Sequence, residues 1–435
     1  MSNKNKAQGD SFTMSAKILA VNGGNAELQE TYPELFHWPV VTAEDEEAVI
    51  AVLRSGTMSG TDISRKFERE YADWSGAAYG LATCNGTAAL QEALWACGVK
   101  KGTEIICPSM TYWASCASAV SLGAEVRFAD IDPETLCLDP GDIEHRITDR
   151  TVAIMVVHYA GHPADMDKIN AIARKHDLKV IEDASHAQGG LYKNRMCGTL
   201  GDISGTSLMG GKAFAVGEGG MVLTNSRELI EKCMLFGHYE RLGFSQYSLA
   251  SEKLTACPEY TQFIGIPLGG VKHRMNQTCS AMGRVQLKYY PERCAEINRA
   301  MNYFWDNLAD LPGIRAHRIT GEGNTMGGWY NPRGLFRSEE LDGLTCERFC
   351  EAIRAEGVRS IPGTNYPLHK HPYFLASDAL GNGREKTETP EYLPVSENTS
   401  KTVFTIPWFK HYRPEIIDRY IAVFRKVITN CKELL

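Results

Sequence analysis

No stretch of the 435 residues approaches the roughly 20 consecutive apolar residues of a membrane-spanning helix. The polar start, Met1 to Asp10, is followed by no apolar segment, so no secretory leader is expected. Positive charge is not in excess. Lys+Arg 46 against Asp+Glu 53 leaves −7, which gives no bulk electrostatic reason to bind nucleic acid. No Cys-x-x-Cys pair occurs among the 13 cysteines, an odd number scattered along the chain. Cys346 and Cys350 have helical spacing without partners at zinc-finger spacing, so no metal site is expected. The cysteines read as reduced, mostly buried small hydrophobes of a cytoplasmic protein. Internal repeats and low-complexity tracts are also absent.

What is present suffices for a large core: 43% of residues are hydrophobic, and the length suits two or three domains. Residues 1–40 lack periodicity and are punctuated by Gly23, Gly24 and Pro33, which predicts an arm. Thr42 is placed as the N-cap of a helix, and 65–74 reads as a second helix. From Tyr79, strand-like runs at 104–107, 124–128, 152–157, 179–182 and 221–224 alternate with helical patterns at 88–97, 113–122 and 165–176. Several runs are apolar throughout, as in strands covered on both faces. The alternation predicts an α/β fold with a mostly parallel central sheet flanked by helices. After Gln286 a long helical stretch runs to Leu308, and Pro291 should kink it or start a new helix. This stretch is taken as the link between a large domain, 41–295, and a smaller α+β C-terminal domain, 296–435. That smaller domain has a polar loop at 380–384 and a final helix from about Pro414.

In such sheets ligands sit beyond the carboxyl ends of strands. Four segments fall there. Thr83-Cys84-Asn85-Gly86-Thr87-Ala88 opens a helix whose free N–H groups suit a phosphate, or is an ordinary N-cap. Pro108-Ser109-Met110-Thr111-Tyr112-Trp113 offers two aromatics to cover a flat ring, or to pack in the core. Asp183 ends an apolar strand, where a carboxylate suits a protonated pyridine nitrogen or a turn. Lys212 stands among small and apolar residues before Gly217-Glu218-Gly219-Gly220, and Ser207 precedes it by five positions. It is either a surface lysine of a glycine-rich loop or a desolvated amine suited to a Schiff base with an aldehyde cofactor. Together the four segments describe a pyridoxal 5′-phosphate (PLP) site.

The order Gly-Thr-x-Ala-Leu, Pro-Ser-x-Thr-aromatic, Glu-Asp-x-x-His-Ala-x-Gly and Ser-x-x-x-x-Lys, then Gly-Glu-Gly-Gly, resembles the DegT/DnrJ/StrS family of sugar aminotransferases. These have the fold type I, aspartate aminotransferase-like architecture. The resemblance runs from about Trp38 to the C-terminus, with smaller matches at 158–167, 283–287 and 366–369. It implies that Lys212 carries PLP as a Schiff base and that Asp183 pairs with the pyridine nitrogen. It also implies that Gly86, Thr87 and Ser207 hold the phosphate, and that His186 lies near cofactor and substrate. Tyr112, or else Trp113, would stack on the ring. Lys272 and His273 stand where the family has an asparagine and an aromatic before Arg-Met, in a segment that reaches the neighbouring subunit's cofactor phosphate. This variant leans toward the branch of inosose (cyclitol) aminotransferases. The implied reaction moves an amino group from glutamate or glutamine to a keto-sugar or cyclitol ketone, with the cofactor cycling through pyridoxamine 5′-phosphate in a homodimer. A subset of the family has histidine for the lysine and dehydrates a keto-sugar; Lys212 argues against that activity. Lys212 with Asp183 argues against a non-catalytic regulatory protein.

Overall fold

A computed structural model describes residues 18–242, 254–375 and 391–435. The polar loop at 380–384 lies outside them. Seven strands form the central sheet: β1 Tyr79–Thr83, β2 Glu104–Pro108, β3 Glu125–Ala129, β4 Thr151–Val157, β5 Lys179–Asp183, β6 Ile203–Ser207 and β7 Gly220–Thr224. Their order is β1-β7-β6-β5-β4-β2-β3. Only β7 runs against its neighbours, β1 and β6; the other pairings are parallel. The period-two geometry of a strand splits the apolar runs between two cores. Ile105, Cys107, Met155 and Ile181 face one core, and Ile106, Ile154, Val156 and Val180 face the other.

Thr42 caps α1, Ala43–Ser55, in a reciprocal capping box with Asp45. Helices α2 Asp62–Ser75, α3 Gly86–Ala96, α4 Ala114–Ser121, α5 Met166–Lys175 and α6 Arg227–Gly237 follow. Two strands escaped the pattern reading, β1 and β6. Strand β6, Ile-Ser-Gly-Thr-Ser, has little apolar content because α3 lies directly on it. A Cβ on Gly205 would stand 2.8 Å from Leu90 Cδ2.

The long helix α7, Gln277–Asp306, begins ahead of the expected point and runs through Pro291 as one element. Pro291 therefore starts no new helix. The missing N–H is outweighed by burial on both sides of it. Leu287, Tyr290 and Cys294 pack with Phe67, Tyr71 and Phe214, whereas Ile297, Met301 and Phe304 join the C-terminal core. That core holds an antiparallel sheet of β8 Ile314–Ala316, β9 Arg333–Phe336 and β10 Val403–Thr405, with helices α8 Cys346–Ala355 and α9 Pro414–Thr429. Leu19, Leu28 and Leu35 also pack into it, so the described part of the N-terminal segment lies on the C-terminal unit. All 13 cysteines are free and most are buried. Among the described residues no helix is long and apolar enough to cross a membrane. No cluster of His, Cys, Asp or Glu among them is arranged to hold a metal.

Candidate active site

The ends of β1, β2, β5 and β6 gather Gly86, Thr111, Asp183 and Ser207 on one edge of the sheet. Asn85 caps α3 by accepting the Ala88 N–H at 2.8 Å. The N–H groups of Gly86 and Thr87 ahead of it are those that a helix start leaves open. Gly86 is required by close approach: a Cβ there would meet Ser207 Cβ at 2.6 Å and Cα at 2.8 Å. Helix start and Ser207 thus form a single concave corner. The capping and phosphate readings of this turn are compatible, because Asn85 caps and the next two N–H groups stay open.

Asp183 is buried at the end of β5. Its Oδ2 accepts from Ser115 Oγ at 2.7 Å and its Oδ1 from the Ser185 N–H at 3.1 Å. Thr111 Oγ1 lies 2.8 Å from Ser115 Oγ. Because Ser115 gives its proton to Asp183, Thr111 donates to Ser115. The Pro-Ser-x-Thr segment is thereby tied to the carboxylate. Ser185 also accepts the Ser207 N–H at 2.9 Å, which links β5 to the Ser207 corner.

Lys212 is only 8% exposed, so it is not a surface lysine. Burial lowers its pKa from 10.5 to about 8, against the opposing pull of Asp183's negative charge. Its Nζ stands 3.9 Å from the centre of the Tyr330 ring. Gln188 clamps the loop that carries it. Gln188 Nε2 donates to the carbonyls of Ser207 and Phe214 at 2.8 and 3.1 Å, and its Oε1 accepts the Phe214 N–H at 2.7 Å. Trp38 Nε1 donates to the Lys212 carbonyl at 3.1 Å.

His186 packs on Tyr330 at 4.5 Å and accepts the Ala160 N–H on Nδ1 at 3.3 Å. Burial first, then the charges of Lys212 and Arg333, hold its pKa well below 6.5, so it is neutral. Tyr330 arrives on a strained turn. Trp329 and Asn331 on either side have φ of 52° and 51°, which non-glycine residues seldom adopt. Gly328 lets that turn touch the lysine loop, since a Cβ there would lie 2.1 Å from Ala213 Cβ.

Tyr112 and Trp113 are half-exposed, at 50% and 47%, and 5.0 Å apart, so neither packs in the core. With Tyr366, His371, Tyr373 and Phe374 they line a mainly apolar cavity of about 540 Å³. Lys272 is exposed. The backbone beside it is bound to the Gly86 turn, because the Cys84 N–H donates to the His273 carbonyl at 2.6 Å. Ser115, Gln188, Tyr330 and Trp38 escaped the sequence reading. Ser115 follows Thr111 at helical spacing and Gln188 stands inside the Asp183–Gly189 run, which are usable signals. Tyr330 and Trp38 carry none, because long-range packing brings them to Lys212.

The sequence profile of the DegT/DnrJ/EryC1/StrS aminotransferase family matches residues 39–425. The chain belongs to this family. It is 30% identical over 432 residues to the L-glutamine:2-deoxy-scyllo-inosose aminotransferase of Micromonospora echinospora, across 96% of this chain and 99% of that one. It is 35% identical over 370 residues to the GDP-perosamine synthase of Caulobacter vibrioides, across 83% and 89%. The crystal structure of an aminotransferase from Psychrobacter cryohalolentis superposes on 91% of this chain and 98% of its own, with a TM-score of 0.77 at 28% identity. This family member is therefore an aminotransferase of the fold that its motifs imply.

Proposed function

We propose that this aminotransferase works with PLP at Lys212 and moves an amino group from glutamine or glutamate to a ketone on a sugar or cyclitol. The observation that carries the reading is Lys212 itself. It is a buried amine with a pKa near 8, beside a tyrosine ring, in reach of Asp183's field. The residues present fit the cofactor. The Gly86–Ser207 corner admits no Cβ and leaves helix N–H groups open for a phosphate. Asp183, fixed by Ser115, is placed to keep a ring nitrogen protonated. When bound, the cofactor supplies an aldehyde that accepts the amino group, becoming pyridoxamine 5′-phosphate, and a ring that withdraws electrons from the donor's α-carbon.

The chain's own part in the chemistry follows from its geometry. Neutral Lys212 Nζ would take the proton from the donor's α-carbon, hold it as an ammonium and release it on the cofactor side, because an amine with a pKa near 8 exchanges protons in both directions near neutral pH. Neutral His186 and Tyr330 wall off water without adding charge beside the amine. The names of the relatives in Micromonospora and Caulobacter support a cyclitol or a nucleotide-linked sugar as acceptor. The decisive experiment is the visible spectrum of the protein with PLP, before and after glutamine or glutamate. A band that forms and then bleaches with donor supports the reading. Lys212→Ala should form no such band and retain no transfer; substantial turnover by that variant would sink the role of Lys212.

A further inference from the structure

Glu92 lies in the middle of α3 and is fully buried. Its Oε1 accepts from His238 Nε2 and from His273 Nδ1, each at 2.9 Å. Its Oε2 has no partner among the described residues. Burial alone would lower the pKa of His238, but the charges of Glu92 and Glu240 raise it to about 9, so it is an imidazolium at neutral pH. Burial pushes the Glu92 carboxyl up, yet the His238 charge and the two hydrogen bonds bring it below its usual value. An ionised carboxylate only accepts, so both rings donate to it. A buried ion pair with one oxygen unmatched is weak as a source of stability, and an apolar side chain would suit a helix core as well. Ala89, Leu90, Ala93 and Leu94, beside Glu92 on the helix, are of that kind. What the cluster supplies instead is a fixed position.

That position bears on the Gly86 turn. The His273 N–H donates to the Gly237 carbonyl at 3.0 Å, at the end of α6. The His273 carbonyl accepts the Cys84 N–H at 2.6 Å, immediately before Asn85 and Gly86. Arg274 then bridges to Thr83, the last residue of β1. Met275 reaches the loop beyond Lys212, since a Cβ on Gly219 would lie 2.7 Å from Met275 Cε. Glu92 thus holds the turn from two directions: along α3, whose first N–H groups belong to the turn, and across it through His273. The fit is close, because a Cβ on Gly237 would stand 2.8 Å from Glu92 Oε1 and 3.0 Å from His273 Cβ. Burial alternates along the segment: His273 and Met275 are inside, Lys272 is exposed and Arg274 half-buried. Anchoring His273 therefore also sets where the two cations stand beside the turn.

We infer that Glu92 is a positioning residue for the cofactor phosphate: through His273 it aims the open N–H groups of Gly86 and Thr87 and sets the cations Lys272 and Arg274 around them. The inference rests on the proposed PLP reading, in which the Gly86–Ser207 corner takes that phosphate. Hydrogen bonds weaken steeply when the donor is misdirected, and a displacement of about 0.5 Å is enough to spoil a binding constellation. Glu92 itself touches no phosphate. The His238 imidazolium balances its charge, so the body of α3 sets no net negative charge against an anion at the helix start.

The test is spectroscopic titration of the cofactor-free protein with PLP and with 5′-deoxypyridoxal, which has the same ring and aldehyde but no phosphate. The visible band reports the affinity for each. Glu92→Ala should bind PLP about 10- to 100-fold more weakly than wild type, the loss of one hydrogen bond to a charged group. Its affinity for 5′-deoxypyridoxal should be unchanged. His273→Phe keeps a ring against Phe236 and leaves the Glu92–His238 pair in place. It should show the same selective loss, and it serves if the alanine variant fails to fold. Glu92→Gln retains the acceptor oxygen without the charge and should recover part of the PLP affinity. A His273→Phe protein that prefers PLP over 5′-deoxypyridoxal as strongly as wild type would overturn the inference. So would an equal loss of both aldehydes in Glu92→Ala, which would make Glu92 a group that serves folding alone. A wild type that forms a band with neither aldehyde would defeat the PLP reading itself, and the inference with it.

Discussion

Lys212 carries two opposing influences, and their balance is measurable. Burial lowers its pKa to about 8, and Asp183 raises it. A lysine must be neutral to attack an aldehyde. Capture of PLP by the cofactor-free protein should therefore rise with pH through a midpoint near 8, not near 10.5. Removing the carboxylate charge removes the raising influence, so Asp183→Asn should move the midpoint below 8. A stopped-flow pH series on both proteins checks this, and a midpoint that stays fixed in the variant would separate Asp183 from the amine. His186 contributes no step to that profile, since burial keeps it neutral across the same range.

At the scale of elements, the site depends on two surfaces brought closer than side chains normally allow. Helix α3 lies on β6 through Gly86 and Gly205, and the Tyr330 turn lies on the lysine loop through Gly328. Gly328→Ala places a methyl 2.1 Å from Ala213 Cβ and 2.7 Å from Tyr290 Oη, so the turn has to retreat. Overpacking of this kind costs about 1–3 kcal/mol. The retreat lets water reach Lys212, so its pKa should climb back toward 10.5. The checks are a lower melting temperature and the pH series above, with the midpoint now above 8. A variant that melts early yet keeps its midpoint would show that the turn does not shield the amine.

Across the whole molecule, chain ends and middle are fastened at one buried carboxylate. Glu356 accepts from Lys426 Nζ and from the N–H groups of Ala20 and Glu27, each at 2.8 Å. It is fully buried, and Lys426 is nearly so. Glu356→Gln leaves the lysine charge buried and unpaired, at a cost of about 3–5 kcal/mol. Urea unfolding should show that loss, and limited proteolysis should cut the 18–36 segment first. Uncut protein of wild-type stability would mean the fastening is redundant. The homodimer belongs to this scale as a proposal: Lys272 is exposed beside the Gly86 turn, free to reach a second copy. Sedimentation of active protein as a monomer would remove Lys272 from any shared site.

The family, most of the sheet and four residues of the candidate site were legible from local pattern. Asp183 ends an apolar strand run, whereas Gly86, Ser207 and Lys212 were marked by the residue types of their own segments. Strand β6 and the course of α7 through Pro291 were not legible. Each is held by packing against partners distant in sequence, Leu90 for the first and two separate cores for the second. The same division runs through the chemistry. Residue type makes Lys212 a candidate nucleophile, but its pKa depends on burial, and the ring it faces comes from Tyr330, more than a hundred residues away. Residue type likewise makes Asp183 a carboxylate and Arg333 a cation. Whether each has a partner is a matter of contacts, and those exist only once the chain has folded: Ser115 reaches Asp183, and among the described residues no acid pairs with Arg333.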